Sequence, residues 1–158
     1  MGCVAFAGFV AAGLASIHAA KAGPGGFTAD LTVDSITFVT GGAPGTRKYQ
    51  VTVRNVGNDS ARQTRIAFAP SGGTTFNGTP TVVSSNPPGL SGTCSTLFAD
   101  GSGSGHCDLN AYLDGSVTIQ FVVNATGTQT ISAQVFSDSP DGHVTSLMSN
   151  NYKEVTGI

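Results

Sequence analysis

The 158-residue sequence contains no tryptophan, one glutamate (Glu154), three histidines and three cysteines, and only 10% of it is charged. Each shortage removes a class of function. The net charge is −2, and the basic residues beyond residue 22, Arg47, Lys48, Arg54, Arg62, Arg65 and Lys153, are scattered. No basic field exists to hold a nucleic acid or an acidic membrane surface. Nucleophilic catalysis needs a nucleophile, a base and a group to orient the base. Beyond residue 22 the only histidines are His106 and His143. There is no Gly-x-Ser-x-Gly, no His-Glu-x-x-His and no phosphate-cradling glycine motif. Residues 101–105 (GSGSG) read as a loop tip, because no strand–helix pattern surrounds them. A single glutamate leaves no Glu pair. We expect no catalytic residue and no cofactor.

Helix formers are also scarce in the body of the chain, whereas Thr, Ser, Val and Gly abound. This balance points to an all-β domain. At 158 residues the chain suits one domain.

The organising stretch is residues 48–58 (KYQVTVRNVGN). Tyr49, Val51 and Val53 alternate with Lys48, Gln50, Thr52 and Arg54, the period of a strand with one wet face. Asn55-Val56-Gly57-Asn58 then supplies turn-tolerant residues. Residues 29–39 form the first strand region. There Leu31 and Val33 alternate, and the phase then slips to Ile36 and Phe38. A slip of one predicts a bulge or a sheet switch near Asp34-Ser35. Further strand regions cover 63–69, 74–85, 94–109, 116–123, 129–137 and 152–158, separated by Gly/Pro/Asn turns. Residues 86–92 (NPPGLSG) form a loop, since proline cannot serve a central strand. In 116–123, Val117, Ile119, Phe121 and Val123 face one way, and Thr118 and Gln120 the other. The expected fold is an antiparallel β-sandwich of seven to eight strands. Its expected core is Tyr49, Val51, Val53, Ile66, Phe68, Val117, Ile119, Phe121, Ile131 and Val135.

Residues 4–17 form an uncharged apolar run of 14, short of the roughly 20 that span a bilayer. The run suits the core of a secretory signal, and Ala20-Lys21-Ala22 fits the small-x-small cleavage pattern. The expected division is a signal peptide at 1–22, cleaved after Ala22, a flexible leader at 23–28, and one domain at 29–158. Met1-Gly2-Cys3 carries none of the usual positive charge, and Cys3 lies before the run, not after it. The other reading retains the segment as a helix used in assembly, as in pilins. The mature chain is expected to have no membrane span.

With the signal removed, Cys94 and Cys107 remain. An even pair in a chain bound for an oxidising compartment reads as a disulfide. It closes a loop of about 14 residues, worth roughly 3 kcal/mol by chain entropy. A metal site from Cys94, His106, Cys107 and Asp108 is the weaker reading, because no second close-spaced ligand pair exists. Asp138 and Asp141, with Asn150 and Asn151 further on, are oxygen donors for a calcium ion. The preferred reading there is a turn whose side chains bond their own backbone. Three sequons, Asn58-Asp59-Ser60, Asn77-Gly78-Thr79 and Asn124-Ala125-Thr126, fall at turns where a glycan fits.

Taken together, Ala29-Asp30-Leu31-Thr32-Val33, residues 49–58 (YQVTVRNVGN), residues 114–123 (DGSVTIQFVV), and Asp141 with Asn150-Asn151-Tyr152 resemble a repeated domain of unknown function in prokaryotic envelope proteins. That family is related to the bacterial cell-adhesion-related domain. Cys94, Cys107, Leu109, Leu113 and Gly115 fall in the order of its pattern. Ala69-Pro70 stands where the pattern has Leu-Pro. The resemblance covers roughly residues 29–155. It implies an immunoglobulin-type sandwich, a secreted or cell-surface location, and a spacer, adhesion or assembly role. It implies no catalytic residues. The implied partners are other envelope proteins or copies of itself. Copies would join by strand addition through the N-terminal segment if the protein is a filament subunit.

Overall fold

The computed structural model describes residues 29–71, 74–96, 103–138 and 150–158. The expected signal segment (1–22), the expected leader (23–28) and Asp141 lie outside the described residues. Nine strands are described: β1 (Leu31–Val39), β2 (Thr46–Asn55), β3 (Arg65–Pro70), β4 (Thr81–Asn86), β5 (Gly92–Ser95), β6 (Gly105–Leu109), β7 (Ser116–Asn124), β8 (Ile131–Phe136) and β9 (Tyr152–Val155). They form two antiparallel sheets, ordered β1-β2-β7-β4 and β5-β6-β3-β8-β9. Seven of them reproduce the constant-type immunoglobulin arrangement. β1, β2, β7 and β4 take the places of strands A, B, E and D, and β3, β8 and β9 those of C, F and G.

The two extra strands are the hairpin β5–β6, which pairs with β3. The cysteine segment therefore folds back on itself where one strand region was expected, and the count rises to nine. Cys94 and Cys107 face each other in register and form the disulfide across this hairpin. Cys107 is buried in the core.

Alternation decides the core. All ten expected core residues are buried. Phe68 and Phe121 come from opposite sheets and stack at 4.6 Å. Phe76 meets both rings edge-on, and Tyr49 lies 5.8 Å from Phe121. These rings do the space-filling that tryptophan often does in such sandwiches. Gly105 stands beside them because a Cβ there would sit 2.6 Å from a Phe68 ring carbon.

The register of β1 against β2 shifts between Val33 and Ser35, so the expected bulge is present. Ile36 is buried past it, but Phe38 is 42% exposed. Phe38 shares the inward side with Tyr49 yet lies on the edge strand. Tyr49 meets it edge-on and the Arg47 guanidinium lies 4.9 Å from its ring. β3 begins at Arg65, not at Gln63, because Gln63 is left-handed (φ 47°) and breaks the extended run. β9 ends at Val155. Ile158 then accepts hydrogen bonds from the Gln129 amide (2.8 Å) and the Tyr49 hydroxyl (2.9 Å).

One pole of the sandwich gathers residues 29–30, 56–64, 87–91 and 110–115, and Asn55 ties it together. The Asn55 carboxamide nitrogen donates to Asp59 O (2.6 Å) and Leu113 O (2.8 Å). Its oxygen accepts from the Asp30 amide (3.1 Å) and the Gly57 amide (3.0 Å). Its own backbone amide donates to Gly115 O (2.7 Å). Gly115 lies so close to β4 that an added Cβ would sit 2.1 Å from Asn86 O.

Asn55→Ala strands the Asp30 and Gly57 amides, and we expect a loss of about 3 kcal/mol, read as a Tm fall of about 10 °C. Asn55→Asp keeps the two acceptor bonds but points a carboxylate oxygen at two carbonyls. Its folded-state pKa is raised, so its stability relative to wild type recovers on acidification through the carboxylate range. Gly115→Ala costs about 3 kcal/mol by overpacking. Wild-type-like melting of either Asn55→Ala or Gly115→Ala would contradict this description.

Candidate functional site

The residues not used by the core form the two outward faces. On the sheet β1-β2-β7-β4 they line up in cross-strand rows. Thr32, Arg54, Ser116 and Asn86 make one row; Ser35, Thr52, Thr118 and Ser84 the next; Thr37, Gln50, Gln120 and Thr81 the third. Val39, Lys48 and Val122 follow. Directly opposed side chains in a sheet stand about 5 Å apart and interact. Thr52 and Thr118 accordingly share a hydrogen bond of 3.0 Å, and Gln50 Nε2 donates to Gln120 Oε1 at 3.1 Å. Arg54 pairs with Asp34 at 2.5 Å. The two middle rows are wholly uncharged, carrying hydroxyls and carboxamides that are exposed or half-exposed. β4 ends the strand order of this sheet and has a bulge between Val82 and Ser84, a feature that discourages unwanted pairing.

The other outward face is shaped differently. Ala67, Ala69, Ser132 and Gln134 of its central strands are all buried although they point away from the core. Ser95, His106, Ala67, Gln134 and Tyr152 form one row across five strands. In the next row Arg65 grips Asp108 through two bonds of 2.6 and 2.8 Å, and His106 Nε2 lies 3.8 Å from Asp108. The hydrogen bond from Arg65 holds the Asp108 carboxyl below its ordinary value. Burial, then the Arg65 charge, holds the His106 imidazole below its ordinary value. Burial and the Glu154 carboxylate, which accepts from its hydroxyl at 2.9 Å, push Tyr152 up to about 12. Both Asp108 oxygens are engaged by Arg65, which keeps this carboxylate ionised and unlike one poised to take a proton.

Asp138 is exposed and its amide donates to Arg62 O at 3.2 Å. Asn150 instead donates to the Asp30 carboxylate at 2.9 Å and accepts at its carbonyl from the Val33 amide at 2.8 Å. Asp141 lies outside the described residues. Among the described residues no group of three or more His, Cys, Asp and Glu could hold a metal ion. The sequon asparagines Asn58, Asn77 and Asn124 are all exposed. Two of them meet: Asn77 Nδ2 donates to Asn124 Oδ1 at 2.8 Å, and Asn124 Nδ2 to Thr75 at 3.0 Å. Among the described residues no helix is long and apolar enough to cross a membrane. Sequence reasoning placed Gln50, Thr52, Thr118 and Gln120 outward but did not find the rows. The rows depend on register between strands far apart in the chain.

No family model matches the chain, and no curated protein matches it. Among solved structures it is similar to the collagen-binding subdomain of the Enterococcus faecalis surface protein ACE. Identity is 11% and the TM-score 0.46, over 77% of this chain and 92% of that one. It is also similar to a collagen-binding domain from a Staphylococcus aureus adhesin, with 10% identity and a TM-score of 0.42 over 82% of this chain and 95% of that one.

The depressed values of His106 and Asp108 fix a pH dependence. Each group binds its proton more readily in the unfolded chain, so stability rises with pH across both windows. The His106 contribution is complete above the ordinary value of 6.5 and is lost as pH falls below it. The Asp108 contribution is complete above 3.8 and is lost as pH falls through its lower folded value. Tm should therefore drop between pH 7 and pH 5, and His106→Gln should flatten that slope. An unchanged slope in the variant would contradict the assignment.

Proposed function

We propose that this protein is a non-catalytic interaction module that works outside the cell or on its surface. It binds other envelope macromolecules through the outer face of the sheet β1-β2-β7-β4. The observation that carries the reading is the pair of uncharged rows, Ser35-Thr52-Thr118-Ser84 and Thr37-Gln50-Gln120-Thr81. Hydroxyls and carboxamides on a framework of hydrogen-bonded strands offer many donors and acceptors with little backbone ordering left to lose on binding. The compartment is supported by the apolar run at 4–17, read as a secretion signal, and by the disulfide, which suits an oxidising environment. The resemblance to the envelope repeat domain supports the same location.

The other reading is a filament subunit that donates its N-terminal segment, residues 23–28, as a strand. Ala29 is buried in this molecule's own core, and the Asp30 amide is held by Asn55. A donated segment would have to stop short of both.

The test is binding of the purified protein to isolated cell envelopes. Wild type should bind saturably. Thr118→Arg, a charge in the middle of the rows, should weaken binding at least tenfold, a loss of about 1.4 kcal/mol. Thr93→Arg on the other sheet should bind like wild type. Equal binding by all three, or no saturable binding, would overturn the proposal.

A further inference from the structure

The two uncharged rows on the sheet β1-β2-β7-β4 present a particular hydrogen-bonding pattern. Gln50 Nε2 donates to Gln120 Oε1, and among the described residues nothing bonds Gln50 Oε1 or Gln120 Nε2. An acceptor and a donor therefore stand side by side. The Thr52–Thr118 bond uses one hydroxyl hydrogen and leaves the other. Each central pair thus offers a donor next to an acceptor. That arrangement suits a hydroxyl group, which donates and accepts at once.

Charge narrows the ligand further. Neither row holds a charge to meet an acidic or a basic polymer, and neither holds a large apolar side chain to bury a hydrophobic anchor. Arg54, paired with Asp34, stands in the row to one side, and Lys48 in the row to the other. The β4 bulge sets Val83, 45% exposed, at the end of the rows, where the apolar C–H face of a sugar ring can rest. Spacing points the same way. Strands lie about 4.8 Å apart, so each row repeats a polar side chain at about the length of one pyranose unit in an extended 1,4-linked chain. The two rows are separated by two residues, roughly 7 Å along the strands, so a sugar chain laid on one row has the other at its flank. Sheet twist of about 20° per strand keeps the run short.

We propose that this face binds an extended, neutral polysaccharide chain laid across the strands. The proposal rests on the reading of the face as a binding surface and names the class of partner it takes. A chain on a sheet surface is covered on one side only, so single-site binding is weak.

Affinity electrophoresis in native gels tests it. Hydroxyethyl cellulose and glucomannan serve as neutral extended polymers and polygalacturonate as an acidic one. At least one neutral polymer should retard wild type, and polygalacturonate should not. Gln120→Met and Gln50→Met keep side-chain length and remove a carboxamide; each should need at least tenfold more polymer for the same retardation, with Tm unchanged. Thr93→Arg on the other sheet should be retarded like wild type. Retardation by neither neutral polymer, or equal retardation of both Met variants and wild type, overturns the proposal. Isolated envelopes separate it from the reading beneath it. Protease-treated envelopes should keep saturable binding, and periodate-treated envelopes, whose vicinal diols are cleaved, should lose it. Binding that protease abolishes and periodate spares identifies a protein partner, which overturns the proposal and leaves the binding face standing. Envelopes that bind nothing before treatment overturn the binding face and the proposal with it.

Discussion

The four side-chain hydrogen bonds of Asn55 are the constraint on which the rest of this sandwich depends. A buried carboxamide must satisfy two donors and an acceptor or lose stability. Asn55 satisfies them by joining three segments that are remote in sequence: the start of β1, the turn after β2 and the connection into β7. A leucine or valine of similar size could fill the space but could not hold those backbones at fixed distances. Gly115 completes the arrangement, accepting from the Asn55 amide while leaving room for the carbonyl of Asn86. The register of β1, β2, β7 and β4 is thus pinned at one pole.

Two further ties close the long side between the sheets. The Val33 amide, at the bulge, reaches across to Asn150 O at 2.8 Å, and Lys153 Nζ reaches Asp34 O at 2.7 Å. Lys153 sits on the inward side of β9, opposite Ala133, and so spans the seam. At the far pole the aromatic cluster does the same work by packing, with Phe68 and Phe121 nearly parallel. With poles and seam secured, the outward rows stand on a frame that has little freedom left. That is why a polar face can serve recognition: the ordering cost of its strands is already met by folding.

Much of this was legible in the sequence, for reasons that differ by element. Alternation of period two marked Tyr49, Val51 and Val53, and Val117, Ile119 and Phe121, because a buried face leaves an unambiguous pattern. The one-residue slip at Asp34-Ser35 marked the bulge for the same reason. Phe38 escaped, since alternation tells which side a residue faces but not whether another strand covers it. The hairpin β5–β6 escaped because residues 94–109 are mostly polar and glycine-rich, and only the cysteine pair hinted at the fold-back. Asn55 looked like an ordinary turn residue. Its role needs the positions of Asp30, Leu113 and Gly115, which no local pattern supplies. The Arg65–Asp108 pair, 43 residues apart, is hidden in the same way.

Native-state hydrogen exchange at the Gly57 amide tests the role of Asn55 most directly. Gly57 lies in a surface turn beside the exposed Val56 and Asn58, and an ordinary turn amide exchanges through small local openings. If Asn55 ties the pole as described, the Gly57 and Asp30 amides exchange only with the opening that also frees the strands β1 and β2. Their opening free energies then match those of Val51 and Val53. Fast exchange at Gly57 and Asp30 alongside slow exchange in β2 would show a pole that frays independently, and would contradict the account.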